Sequence, residues 1–284
     1  MADALQPAGA AATRGLPTPV RTEAEVLACQ PEGGANRRLV LRVPGWPGFA
    51  PGQFAMLSPG ALGGAPRSDP LLPRPMAVYR APGGDGEVEI LFKVTGRGTR
   101  LLADALPGQR VRFVGPLGLA FADPEPEERA ILVAGGTGIA SLYALARRLA
   151  RAGGPGVEVL LGARSGADLM GRDDFAALDV RLHTATEDGS EGSRGLVTAL
   201  LEAALQEGAP ARVYACGPTA MMRRVAELAA ARDRPCVVSL ENAMACGFGV
   251  CLGCAAPLRG GGFALVCRDG PVLDAAAVDW ERMP

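Results

Sequence analysis

"LVAGGTGIASLY", residues 132–143, reads as a β-strand, a tight glycine turn and the first turn of an α-helix. After the turn, Leu142, Leu145, Ala146 and Leu149 share one helical face and the arginines sit mostly opposite, so the helix packs one side onto a core. The turn could aim backbone amides and the helix dipole at a pyrophosphate. The dinucleotide fingerprint G-x-G-x-x-G breaks at its third place, where Ser141 follows Gly136 and Gly138. A tight βα turn needs glycine in any case, so a purely structural reading stands beside the nucleotide one.

The same alternation continues downstream. "VEVLLGAR" (157–164), "VRLHTATED" (180–188) and "RVYACGP" (212–218) are strands, and "GLVTALLEAAL" and "TAMMRRVAELAA" are amphipathic helices. Repeated βα units of this length predict a parallel, doubly wound sheet over residues 123–238. Its last βα unit opens with Cys216, Gly217 and Pro218, at a sheet edge where a nicotinamide could lie. Arg164 and Ser165, ending the second strand, could meet a 2′-phosphate, and no acidic residue is read there to repel one. The single histidine, His183, falls inside a strand and is read as structural.

Upstream the texture differs. "EVLACQ", "RRLVLRVP", "GQFAMLSP", "MAVYRA", "EVEILFKV" and "RVRFVG" are short β-type runs broken by Gly and Pro, which predicts a small antiparallel barrel over 21–122. "TRLLADAL" (99–106) interrupts it as a short helix, and "DPEPEE" (123–128) reads as a linker. The Ala/Pro/Gly-rich start, residues 1–20, is expected to be a disordered tail. Within the barrel, Arg74 beside Pro75 in "RPMAV" offers a planar, bidentate donor for phosphate. Gly96, Gly98 and Thr99 in "LFKVTGRGT" form a second anion-receptive end. A hairpin and a helix N-cap would explain the same residues without a ligand.

A net charge of −1 gives no reason to expect nucleic acid or an anionic membrane as partner. No apolar run approaches the roughly 20 residues of a membrane span, and the start lacks a basic n-region and an apolar h-region, so a cytoplasmic chain is expected. Four of the seven cysteines (Cys246, Cys251, Cys254 and Cys267) fall within 22 residues, in the segment 239–284. In a reducing compartment such clustering points to metal before disulfides. Four thiolates could hold zinc or an iron–sulfur cluster. Zinc sites usually pair two short knuckles, whereas C-x₄-C-x₂-C with a distant fourth cysteine is the plant-type [2Fe–2S] spacing. Gly247, Gly249 and Gly253 would let the loop wrap closely and turn N–H groups toward sulfur.

The order of barrel, nucleotide domain and appended cluster lobe resembles the ferredoxin–NAD(P) reductase superfamily. With "RPMAV", "GRGT", "GPLG", "AGGTGIA", "TEDGS", "YACGP", "SLEN", "MACGFGVCLGC" and "VCRDGPV" in one order, residues 21–274 look like the electron-transfer subunits of NAD-linked dihydroorotate dehydrogenases. The resemblance implies that Arg74, Pro75, Met76 and Ala77 contact FAD, with Leu91, Phe92, Lys93, Gly98 and Thr99 holding its diphosphate and ring. It implies that the four clustered cysteines ligate [2Fe–2S]. Gly135, Gly136, Thr137 and Gly138, with Cys216, Gly217 and Pro218, would serve the nicotinamide nucleotide, NAD by preference. Ala77 departs from the family, which usually has Ser or Thr there, so a backbone amide would have to replace that hydroxyl toward the flavin. The implied role is pyrimidine biosynthesis beside an FMN-containing catalytic subunit, two copies of each. This chain itself offers no acid–base pair for a carbon substrate. Subunits of NADPH–ferredoxin or sulfide oxidoreductases share the layout, and "VLDAAAVDW" (272–280) resembles them, although they commonly carry an aspartate among the ligands. A zinc-stabilised nucleotide-binding module is the non-enzymatic alternative.

Overall fold

The computed structural model describes residues 15–59 and 70–283. Residues 1–14, most of the expected tail, lie outside the described residues. The first sheet has six strands: β1 (Val20–Pro31), β2 (Asn36–Arg42), β3 (Phe54–Ser58), β4 (Arg74–Ala77), β5 (Glu87–Lys93) and β6 (Arg110–Leu117). They are hydrogen-bonded antiparallel in the order β4-β3-β6-β1-β2-β5. Beyond β4 the chain rejoins β5, where Tyr79 N donates to Glu89 O and Glu89 N to Arg80 O, so the barrel is nearly closed. Its interior is filled by Val26, Leu39, Leu41, Ile90, Phe92 and Phe113, with Leu102 of helix α1 (Arg97–Ala103) covering one end.

The second sheet is the expected doubly wound one. Strands β7 (Arg129–Gly135), β8 (Val157–Ala163), β9 (Arg181–Thr186), β10 (Ser193–Arg194), β11 (Ala211–Cys216) and β12 (Cys236–Ser239) run parallel in the order β10-β9-β8-β7-β11-β12. Helix α2 (Ile139–Ala152) buries Leu142, Leu145, Ala146 and Leu149 and stops at Gly153, whose φ of 69° suits glycine. Helices α3 (Arg172–Ala176), α4 (Val197–Ala204) and α5 (Thr219–Ala230) complete the layers. The strand order reverses between β7 and β11, which opens the crevice where α/β sheets bind ligands. His183 stands in β9 with Nε2 3.5 Å from a Glu158 carboxylate oxygen, in keeping with a structural role. No helix among the described residues is long and apolar enough to cross a membrane.

The cysteine segment is tied in more firmly than a single strand would manage. After the hairpin β13 (Ala255–Pro257) and β14 (Phe263–Leu265), the chain returns as β15 (Val272–Asp274) and pairs antiparallel with β12. Leu119 N donates to Gly270 O at 2.6 Å, and a Cβ on Gly118 would strike Pro271 Cδ at 2.6 Å, so barrel and lobe meet backbone to backbone.

Barrel and parallel sheet are joined at a half-buried ionic junction. Arg38 of β2 bonds Asp174 of α3, Glu32 and Glu89, each at 2.6 Å. Arg80 and the Tyr79 hydroxyl donate to Asp174 at 2.9 and 2.8 Å. The Tyr79 ring stacks on Tyr143 of α2, with centroids 4.4 Å apart. Burial raises the Asp174 carboxyl, but donors from Arg38 and Tyr79 and the arginine charges outweigh it and hold it below its ordinary value. A depressed carboxyl stabilises the fold above its unfolded pKa, about 3.9. That contribution is lost as pH falls through the lower folded value. Asp174→Asn should therefore cost about 2 kcal/mol, less than a fully buried pair because the site is partly wet. Urea unfolding should show that gap constant from about pH 5 to 7 and closing below about pH 4.

Candidate functional site

Between the barrel, the β7 turn and the cysteine lobe lies a cleft of about 520 Å³, a size suited to a small-molecule site. Arg74, Pro75, Met76, Ala77, Leu91, Phe92, Lys93 and Thr99 all line it, so two barrel segments separated in sequence form one wall. They meet because β4 and β5 are the two ends of the barrel sheet and curl toward each other. Gly98 stands behind that wall: a Cβ there would lie 2.5 Å from Arg74 Nε. The glycine thus makes room for the guanidinium, whose Nη1 donates to Leu72 O at 2.7 Å. Thr99 Oγ1 accepts from Thr95 N and Gly96 N and donates to Gly96 O, so its hydroxyl fixes the start of α1. Lys93 Nζ turns to Asp168, 2.7 Å away.

Opposite, the two nucleotide-type loops cross at the switch point. Gly138 lies under the Cys216 carbonyl, where any Cβ would collide, and a Cβ on Gly135 would stand 3.2 Å from Pro218 Cδ. Gly217, at φ 151°, lies against the Gly135 backbone. Gly136 leaves the strand at φ 55°, beside Thr137, which faces the cleft. Cys216 is fully buried and its thiol is pushed up to about 12 by that burial, so it stays protonated and is no nucleophile.

Sequence reasoning gives the third wall no role, although its residues stand in the quoted SLEN and MACGFGVCLGC motifs. Ser239, the last residue of β12, and Leu240, Glu241, Asn242 and Met244 just beyond it also line the cleft. The rule that ligands lie beyond the carboxyl ends of parallel strands would have pointed there. Glu241 is solvent-accessible but closely walled, which raises its carboxyl, and Thr137 Oγ1 donates to it at 3.3 Å. The acids near Arg164 were missed too. Glu187 N donates to Ala163 O and Asp188 N to Arg164 O, which brings an exposed acidic pair beside the end of β8. The reason is topological, since the acids end β9 and reach β8 only through sheet pairing.

The four clustered cysteines pair two by two. Cys254 and Cys267 are buried with sulfurs 3.2 Å apart, while Cys246 bonds the side chain of the exposed Cys251. Among the described residues no three such groups are arranged to hold one metal ion. A zinc ion needs its ligands about a single centre, whereas a two-iron cluster takes its cysteines in pairs. The pairing matches the way a two-iron cluster takes its cysteines. Backbone amides point at the sulfurs as well, from Gly249 to Cys267 at 3.1 Å and from Cys267 to Cys254 at 3.4 Å. Burial opposes ionisation of Cys246, yet backbone donors at Cys251, Phe248 and Val250 draw its thiol down to about 6. Burial and the neighbouring Cys254 push Cys267 up to about 12, as expected for a crowded sulfur pair. Gly247 and Gly249 hold φ of 87° and 84°, but Leu252 (60°) takes the third left-handed position rather than Gly253.

Residues 241–279 match the family model for the iron–sulfur cluster binding domain of dihydroorotate dehydrogenase B, and residues 132–227 match an oxidoreductase NAD-binding domain. The electron transfer subunit of dihydroorotate dehydrogenase B (NAD(+)) from Desulforamulus reducens is 36% identical, over 81% of this chain and 87% of its own. Its counterpart from Geobacillus kaustophilus is 40% identical over 80% and 86%. Among solved structures, a chain of the NADH-dependent reduced ferredoxin-NADP oxidoreductase is similar at a TM-score of 0.81 and 28% identity, covering 92% of this chain and 91% of its own. The relatives span most of both lengths and the cluster model falls on the cysteine lobe, so this chain belongs to the family of dihydroorotate dehydrogenase B electron transfer subunits.

Proposed function

We propose that this chain carries electrons from dihydroorotate, oxidised on an FMN-bearing catalytic subunit, through a [2Fe–2S] centre and FAD to NAD⁺ in pyrimidine biosynthesis. The observation that carries the reading is one cleft walled by the barrel, the β7 turn and the cysteine lobe together, with two cysteine pairs in that same lobe. A flavin, when bound, supplies the exchange between single electrons and a hydride that neither a cluster nor a nicotinamide can perform alone.

The residues divide the work. We assign the barrel 21–122 to FAD, 123–238 to the nicotinamide nucleotide and 239–284 to the cluster. Arg74 holds the diphosphate as a planar donor, kept in place by the space at Gly98. Pro75, Met76, Ala77, Leu91 and Phe92 give the ring a largely apolar wall. The crossed glycine loops admit the nicotinamide half from the opposite side, past Thr137 and Glu241. Cys246, Cys251, Cys254 and Cys267 ligate the cluster. Around Cys251, Phe248, Val250 and Leu252 are 57%, 72% and 63% exposed, an apolar rim suited to a partner subunit. Two copies of each subunit, in the cytoplasm, complete the reading.

NAD is favoured over NADP by Glu187 and Asp188, whose carboxylates would face a 2′-phosphate beside Arg164.

Three measurements test these assignments. The purified chain should reduce artificial dyes with NADH yet oxidise dihydroorotate only after the FMN-bearing subunit is added. Dihydroorotate-dependent NAD⁺ reduction by this chain alone would refute the split, and failure of the two subunits to associate would favour a ferredoxin- or sulfide-type partner. Cys251→Ser should abolish iron and visible cluster absorption while FAD stays bound; stoichiometric zinc without labile sulfide in anaerobically isolated protein would sink the cluster assignment. Replacing Glu187 and Asp188 together by Ser should raise kcat/KM with NADPH about tenfold, and an unchanged ratio of NADH to NADPH use would clear both residues of that role.

A further inference from the structure

Behind the barrel wall of the cleft stands a residue that none of the assignments above uses. Met56 of β3 is 1% exposed, and on its strand it pairs with Pro75, which lines the cleft. Its side chain reaches Gly247, the residue after Cys246. A Cβ on Gly247 would lie 2.5 Å from Met56 Cγ, 3.1 Å from its Sδ and 3.2 Å from Leu117 Cδ1. Met56, Leu117, Met244, Cys254 and Cys267 share one continuous buried core. The cysteine loop and the flavin-facing strand are thus held apart by the thickness of one side chain.

We propose that Met56 is the spacer between the cofactor cleft and the cluster loop, that Gly247 sets how closely the loop seats on it, and that electrons cross at this contact. The proposal rests on the functional reading above. Electron transfer without a bond depends steeply on separation and on dry, close-packed matter between donor and acceptor. A buried thioether meets both needs, being polarizable and free of charges that must reorganise. The loop also has a direction. Met244, two residues before Cys246, lines the cleft, while Cys251 lies exposed. One end of the loop therefore faces the flavin side and the other faces a partner.

The test uses the full chain with both cofactors, mixed anaerobically with NADH. NADH gives the flavin one hydride, hence two electrons. One electron moves to the oxidised cluster, and the other stays on the flavin. Flavin and cluster bleaching are followed separately, together with amide hydrogen exchange over residues 244–250. In Gly247→Ala the left-handed φ of 87° and the added carbon against Met56 should together lift the loop, raise exchange and slow cluster bleaching about ten- to a hundredfold, with flavin bleaching unchanged. Met56→Ala alone leaves a void and should slow cluster bleaching as well. The double variant should be less impaired than the two single effects combined, because the smaller side chain makes room for the new carbon. If Gly247→Ala sheds its cluster, Met56→Ala decides alone. Unchanged cluster bleaching in Met56→Ala, or strictly additive effects in the double variant, would overturn the proposal. An unaltered protein whose flavin does not bleach with NADH would instead refute the functional reading, and amide exchange would still decide the contact.

Discussion

Everything at the candidate site depends on how the barrel and the parallel sheet are held at a fixed distance. The barrel has an interior of its own, but Phe54, Met56, Tyr79, Leu91 and Leu117 also pack into the cores of the parallel sheet, and the cleft exists only between the two. Asp174, projecting from α3 into a ring of Arg38, Arg80 and Tyr79, is the fixed point. The apolar seam that also joins them would by itself allow sliding, because apolar contact is non-directional. Charged, directional bonds with defined partners select one docking. The stacked Tyr79 and Tyr143 rings add a flat surface that resists rotation at the same place.

The lobe then closes the assembly by touching both bodies. β15 pairs with β12, Leu119 bonds Gly270, and Gly247 presses on Met56. Close approaches of this kind need glycine on at least one side, since a Cβ at Gly118, Gly138 or Gly247 would strike a neighbour. The glycines quoted from the sequence therefore meet two needs, and Gly247, with φ of 87° and a Cβ site 2.5 Å from Met56 Cγ, meets both. Gly136 and Gly249 serve backbone direction, with φ of 55° and 84°. Gly98 and Gly138 serve proximity, since neither carries a left-handed φ yet each faces an atom a side chain would displace.

The fold could be read because its signals are local. Strand runs, the Gly153 stop and the helical face of Leu142, Leu145 and Leu149 each lie within one short window. The barrel residues of the cleft were readable through motif resemblance, and the cysteine loop through spacing. What escaped was relational. Glu187 and Asp188 lie far along the chain from Arg164 and meet its strand only through β8–β9 pairing. Glu241 and Met244 stand in the quoted SLEN and MACGFGVCLGC motifs without a role assigned to either; they matter because β12 ends at the cleft. The pairing of the thiols, Cys246 with Cys251 and Cys254 with Cys267, likewise depends on the path of the loop rather than on spacing.

The return of β15 to the parallel sheet has a consequence for how such proteins can be assembled from parts. Without it, β12 would end the sheet with a row of unpaired amides and carbonyls, a surface on which other chains can add strands. The lobe therefore guards a sheet edge as well as carrying cysteines. It cannot be moved between reductases as a free-standing cassette, because a body deprived of it loses the cover on its own margin. Fusion or deletion at this boundary therefore bears on solubility as well as on electron flow.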